Sequence, residues 1–194
     1  CTTVRDDDIP FQGVRSFAVE TATTNLVTNS PQQPPVVSYS GSEFTRSIVT
    51  SGSLAGWVKI NVTQIGQYNW VGNFGLYNQS VNENRTYAID AILPAEFYLV
   101  LSGTPPIGRT LAKQSEYRYV ITWFNDKTKT YNAGIYLRST LPEGATGSWD
   151  VYVRNYQIEQ KPFASSFVVG SRPKGRLVIP VEDLKFDIVN DDWV

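Results

Sequence analysis

Gly56–Val62 reads GWVKINV, and its alternation decides the fold class. Val58, Ile60 and Val62 fall on one face and Trp57, Lys59 and Asn61 on the other, the period of two expected of a half-buried strand. The pattern returns in Thr86–Leu93, where Tyr87, Ile89, Ala91 and Leu93 share a face. Tyr68–Tyr77 (YNWVGNFGLY) is an aromatic segment interrupted by glycines, and Phe97–Leu101 is a short apolar strand closed by the turn Gly103–Pro106. Tyr117–Phe124 and Tyr131–Ser139 flank the polar run Asn125–Lys129, which reads as a hairpin connection; Trp149–Glu159 is the last strong strand. No stretch carries helical periodicity, and 79–85 holds a turn at most. Short strands at even spacing, rich in aromatic and β-branched residues, predict an all-β sandwich or barrel.

These strands place one β-sandwich over residues 16–160. Ahead of it, 1–15 contains Asp6, Asp7 and Asp8 and reads as an N-terminal arm or the end of a preceding domain. Behind it, 161–175 is rich in Lys, Pro and Ser and reads as a linker. Residues 176–194 resume a strand pattern and read as the start of a following β domain or a docking segment. With no Met and a start at Cys1, the chain is expected to be one module and its flanks within a longer protein.

Composition removes several function classes. The 194 residues include no His and one Cys, so a His-based nucleophile system, a zinc site and an internal disulfide are excluded. Net charge is −1, with positive residues dispersed, which is no footprint for nucleic acid. No apolar run reaches the roughly 18 residues needed to cross a bilayer, so no membrane insertion is expected. The carboxylates between residues 21 and 160 show no spacing that singles out a glycosidase pair, and the chain reads as a non-enzyme. Asn-x-Ser/Thr triplets at Asn61, Asn78 and Asn84 are acceptors only in a eukaryotic secretory setting.

Recognition by aromatic surfaces remains. Flat Trp and Tyr faces stack on the apolar side of a pyranose while amides and carboxylates hold its hydroxyls. If the aliphatic face of Gly56–Val62 points inward, Trp57 points out beside Lys59 and Asn61. Tyr68, Trp70 and Tyr77 lie among Asn69, Asn73 and Asn78, and Trp123 ends a strand further on. These five rings are the candidate carbohydrate platform; the competing reading puts them in the sandwich core.

Two stretches carry a family resemblance. SFAVETATTNLVTN (Ser16–Asn29) and QIEQKPFASSFVVGSRP (Gln157–Pro173) resemble the opening and closing signatures of jelly-roll modules in bacteriophage tail, fibre and other virion structural proteins. Those modules are themselves similar to jelly-roll carbohydrate-binding modules. Gly175–Val194 looks like the first strands of the concanavalin A-like (laminin G-like) domain that often follows. The resemblance implies a jelly-roll β-sandwich in a virion, presenting a glycan-binding face for host attachment. Its implied partners are host surface glycans, other virion proteins and further copies of the chain, in a homotrimer. It also implies one structural calcium ion, which Glu20 near the opening and Asp150 in the closing strand would ligate. The alternatives are a structural spacer or capsid-decorating protein, and the accessory carbohydrate-binding module of a secreted glycoside hydrolase.

Overall fold

The computed structural model describes residues 22–28, 30–104, 108–126 and 130–172, and the backbone of 186–187 and 192–193. Glu20 and the expected arm, 1–15, lie outside the described residues, as does most of 176–194. The chain divides into two compact units. One, Thr24–Ser171, is the β-sandwich. In the other, the strands Phe186–Asp187 and Asp192–Trp193 pair antiparallel.

The strands follow in chain order, the first pairing with the fourteenth in a two-stranded sheet of its own: β1 (Thr23–Thr24), β2 (Val37–Ser38), β3 (Glu43–Ile48), β4 (Val58–Gln64), β5 (Trp70–Asn73), β6 (Tyr77–Gln79) and β7 (Glu83–Ile92). Then come β8 (Phe97–Thr104), β9 (Arg109–Thr110), β10 (Ala112–Lys113), β11 (Arg118–Asn125), β12 (Tyr131–Ser139), β13 (Thr146–Glu159) and β14 (Ser171–Arg172). The only helical turn among the described residues is the 3-10 turn Gln67–Asn69. One sheet has the order β10-β11-β7-β13-β4-β3, and the second β2-β5-β12-β8-β9 with β6 also paired to β12. Their pairings are antiparallel. The chain changes sheet at nearly every long connection, which gives a jelly-roll β-sandwich.

The alternation read in the sequence is the alternation of burial. Val58, Ile60 and Val62 are fully buried, as are Ile89, Val151 and Val153 from the same sheet and Ile135 and Leu137 from the facing one. Truncating one of these to Ala would cost about 2–5 kcal/mol. The polar run after Asn125 is a crossover rather than a hairpin: β11 pairs with β7 in one sheet, and β12 with β8 and β5 in the other. Strand β3, exposed along most of its length, has no alternation by which it could be read.

A β-bulge sets the last strand. Arg154 opposes Asp90 and Gln157 opposes Ala88, so β13 carries one residue more than β7 across that interval. Asn155 takes the left-handed conformation (φ 54°) there. The extra residue reverses the side-chain alternation. Before it Val151 and Val153 point into the core; after it Tyr156 and Ile158 do. Gln157 and Glu159 are thereby turned to the outer face, yet they are 0% and 1% exposed. The residues that follow cover them. Ser165 donates its N–H to Glu159 Oε2 at 2.8 Å and its hydroxyl to Oε1 at 2.6 Å. Lys161 Nζ lies 3.1 Å from Glu159 Oε1. Val168 N–H donates to Gln157 Oε1 at 3.0 Å. The stretch read from composition as a linker therefore lies, from Lys161 to Val168, against the sheet.

Buried polar groups are tied in the same manner. Tyr87 donates to Gln79 Oε1 at 3.0 Å, and burial pushes its phenol up to about 12, so it stays a donor at neutral pH. At the opening, Asn25 is 1% exposed. Its Oδ1 accepts the N–H groups of Val27 and Ile158, each at 3.0 Å. Its Nδ2 donates to Tyr156 O at 3.0 Å and Val168 O at 3.1 Å. One carboxamide thus joins the opening segment, the last strand and the closing segment. Asn25→Ala would leave four backbone groups unpaired and is expected to lower the unfolding free energy by about 3 kcal/mol in urea melts. A change below about 0.5 kcal/mol would show that other contacts hold the two ends.

Candidate functional site

The outer face of the second sheet is where rings remain accessible and fixed. In β12, Ala133, Ile135 and Leu137 are fully buried, so Tyr136 and Arg138 point outward. In β8, Leu99 and Leu101 face the core and Tyr98 faces out. Register then does the assembly. Arg138 pairs across to Trp70 in β5 on one side and Tyr98 in β8 on the other. Its guanidinium carbon lies 4.4 Å from the Trp70 ring centroid and 5.8 Å from that of Tyr98. Tyr136 meets Trp70 edge-on at 4.9 Å, and Tyr39 lies 5.8 Å from it at 35°. Tyr39 is set by its own N–H, which donates to Val71 O at 3.0 Å. Burial raises the Tyr136 phenol above its ordinary value, leaving a hydroxyl that donates at neutral pH.

At the rim of this cluster stands Tyr68, 69% exposed. It adopts φ 56°, ψ 26°, and Asn69 follows at φ 63°. A bulky residue in the left-handed region carries a strain of about 1–3 kcal/mol, so something must hold it there. Two charged side chains do. Glu143 Oε2 accepts the Tyr68 N–H at 3.1 Å, and Arg138 Nη2 donates to the Tyr68 carbonyl at 2.7 Å. An aromatic ring is thereby presented to solvent on a fixed backbone, beside a tier of half-buried rings. That is the arrangement needed to stack a flat, partly apolar ligand.

The sequence-derived platform is dispersed. Tyr68 and Trp70 lie together on this face. Trp57 keeps the outward side of its strand, as its alternation requires, but it is 2% exposed. The Arg154 guanidinium carbon lies 4.3 Å from its ring centroid, and Tyr117 packs edge-on at 5.6 Å. Tyr77 packs against the core, meeting Tyr156 at 6.2 Å. Trp123 is 6% exposed, belongs to the core and meets Tyr131 at 5.1 Å. Alternation assigns a face but not what lies on it, which is why the expected exposure of Trp57 fails. Tyr39, Tyr98, Tyr136 and Arg138 were not among the candidates; the alternation of Tyr131–Ser139 already puts Tyr136 and Arg138 on one side.

The expected calcium ligands do not form a described site. Glu20 lies outside the described residues. Asp150 is held by Lys59 Nζ at 2.7 Å and by Asn61 Nδ2 at 2.7 Å. The Lys59 hydrogen bond, helped by Asn61, holds its carboxyl below the usual range. A cation there would compete with an ammonium already in place. Among the described residues, no three His, Cys, Asp or Glu side chains converge. A polar cavity of about 380 Å³ opens elsewhere, with Ser80, Asn82, Asn84, Gln160, Lys161 and Pro162 in its wall and no aromatic ring lining it.

The burial of Trp57 has a measurable consequence. Trp57→Ala is expected to destabilise the fold by about 3–5 kcal/mol in chemical denaturation. A loss under about 1 kcal/mol would mean the ring is a surface group.

No protein-family model matches the chain, and no curated protein matches it. Among solved structures it is similar to a CBM4 module at 12% identity and a TM-score of 0.44, with 74% of this chain and 96% of that one covered. It is similar to the CBM22-1 xylan-binding domain of Xyn10C from Paenibacillus barcinonensis at 11% identity and a TM-score of 0.44, covering 75% of this chain and 99% of that one. A third similar structure comprises the CBM22-1 and GH10 modules of Clostridium thermocellum xylanase 10B complexed with xylohexaose. There the identity is 10% and the TM-score 0.42, with 77% of this chain and 30% of that one covered.

Proposed function

We propose that the protein is a non-catalytic carbohydrate-binding module that holds a saccharide on the outer face of the β2-β5-β12-β8-β9 sheet. The observation that carries this reading is Tyr68: a strained, exposed ring whose N–H and C=O are each gripped by a charged side chain. Tyr68 supplies a stacking surface, and Trp70, Tyr39 and Tyr136 form the tier beneath it. Phenol hydroxyls and the free donors of Arg138 meet sugar oxygens. Fixing Tyr68 before the ligand arrives lowers the ordering cost of binding. Affinity at one such face is modest and rises when copies are linked.

As to setting, we place the module first as the accessory binding unit of a secreted polysaccharide-degrading enzyme. A virion appendage is the second reading, favoured by the resemblance of Gln157–Val168 to the closing signature of phage jelly rolls. Host surface glycans, other virion proteins and a homotrimer of the chain belong to that reading. Gene neighbourhood separates the two settings.

The binding claim is tested on a glycan array followed by calorimetry on the best saccharide. Tyr68→Ala is expected to weaken binding about tenfold, or about 1.4 kcal/mol, while the melting temperature stays within a few degrees. Unchanged affinity in a folded Tyr68→Ala variant would remove the face from the account.

A further inference from the structure

We infer that the saccharide held on this face is acidic, with a carboxylate of the uronic acid type seated on Arg138. The inference rests on the glycan-binding reading above and specifies its ligand. Among the described residues, the other guanidinium groups that are at least partly buried each have a carboxylate. Arg85 Nε is 2.6 Å from Glu83, Arg118 Nη1 is 3.0 Å from Asp90, and Arg154 Nε is 3.5 Å from Asp90. Arg138 is half-buried and has none: its contacts are two aromatic faces and the Tyr68 carbonyl.

The donor inventory points the same way. A guanidinium offers five N–H groups. Arg138 places one, on Tyr68 O; its Nε is buried without a hydrogen-bond partner, as are Arg118 Nη2 and Arg154 Nε, so the terminal Nη groups are the donors that would meet a ligand. Aromatic faces attract the cation but accept none of its in-plane hydrogens. Glu143, the carboxylate of the clamp, accepts the Tyr68 N–H and forms no ion pair with Arg138. What remains is a positive, planar fork, immobilised between Trp70 and Tyr98 and lacking its counter-charge. Such a fork matches a carboxylate through paired N–H donors, a geometry that a neutral hydroxyl does not reproduce. The surrounding rings then take the pyranose that carries the acid.

The test uses the intact protein and paired ligands. Calorimetric titrations compare a glucuronate-bearing xylo-oligosaccharide and an oligogalacturonate with the same oligosaccharides after reduction of their carboxyls to alcohols. The carboxylate form of at least one pair is expected to bind about tenfold more tightly than its reduced form. That advantage should shrink with added salt and vanish in Arg138→Gln. Arg138→Lys, which keeps the charge and loses the fork, should recover only part of it. Because carboxyl reduction acts on the ligand, the comparison stands even where a variant folds poorly. Equal or tighter binding of both reduced forms overturns the acidic assignment and leaves the glycan-binding face intact. Failure of every acidic, reduced and neutral saccharide on the array to bind overturns the face as well.

Discussion

The fold closes on one carboxamide. Asn25 uses both its acceptor and its donor to satisfy four backbone groups drawn from the opening segment, β13 and the closing segment. Beside it, Leu26 N–H donates to Ile158 O and Asn25 N–H to Gly170 O, so the first and last parts of the sandwich are knit by backbone as well. Nothing local in the sequence brings these ends together. The long-range ladders β13–β4 and β13–β7 must form for Asn25 to find its partners, and a topology of such distant pairs folds slowly compared with a local one.

That closure has a consequence for function. After the bulge at Asn155, Gln157 and Glu159 face outward on the first sheet, and Lys161–Val168 wraps back to pair with them. Further along the same face, Arg154 and Tyr117 roof Trp57, and Asp90 gathers Arg118, Arg154 and Asn155. Much of this outer face is therefore engaged by the protein's own chain. On the second sheet, Arg138, Trp70, Tyr98 and Tyr136 lie half-exposed with Tyr68 beyond them. On the first face Arg118 and Arg154 each have the Asp90 carboxylate beside them; on the second, Arg138 has no carboxylate. Strain at Tyr68 and an Arg138 with no carboxylate partner both lie on this second face, the one proposed to bind.

Much of the architecture is legible in the chain, because period-two alternation is a direct record of a two-faced sheet. Tyr131–Ser139 is bounded by the sequence as the structure bounds it, and Val58, Ile60 and Val62 are the core residues their pattern implies. The crossover after Asn125 is not legible, since a polar run between two strands looks alike whether they pair or part. Exposure of single rings is harder still. Trp57 and Trp70 both sit on outer faces. Each has a guanidinium over its face and a Tyr against its edge, yet Trp57 is 2% exposed and Trp70 half-exposed, a difference that no local pattern in the sequence records. The clamp on Tyr68 depends on Glu143, 75 residues away, and on a left-handed backbone that no local pattern announces.

The outer face of the second sheet, rather than that of the first, is proposed to meet the ligand. Two-dimensional NMR of the isotope-labelled protein, titrated with the tightest-binding oligosaccharide, reads this residue by residue. The prediction is that shifts concentrate on Tyr68, Trp70, Tyr98, Tyr136 and Arg138, while the indole N–H signals of Trp57 and Trp123 stay in place. Shifts centred instead on the Trp57–Arg154 face, or on the cavity bounded by Asn82, Asn84 and Gln160, would contradict it.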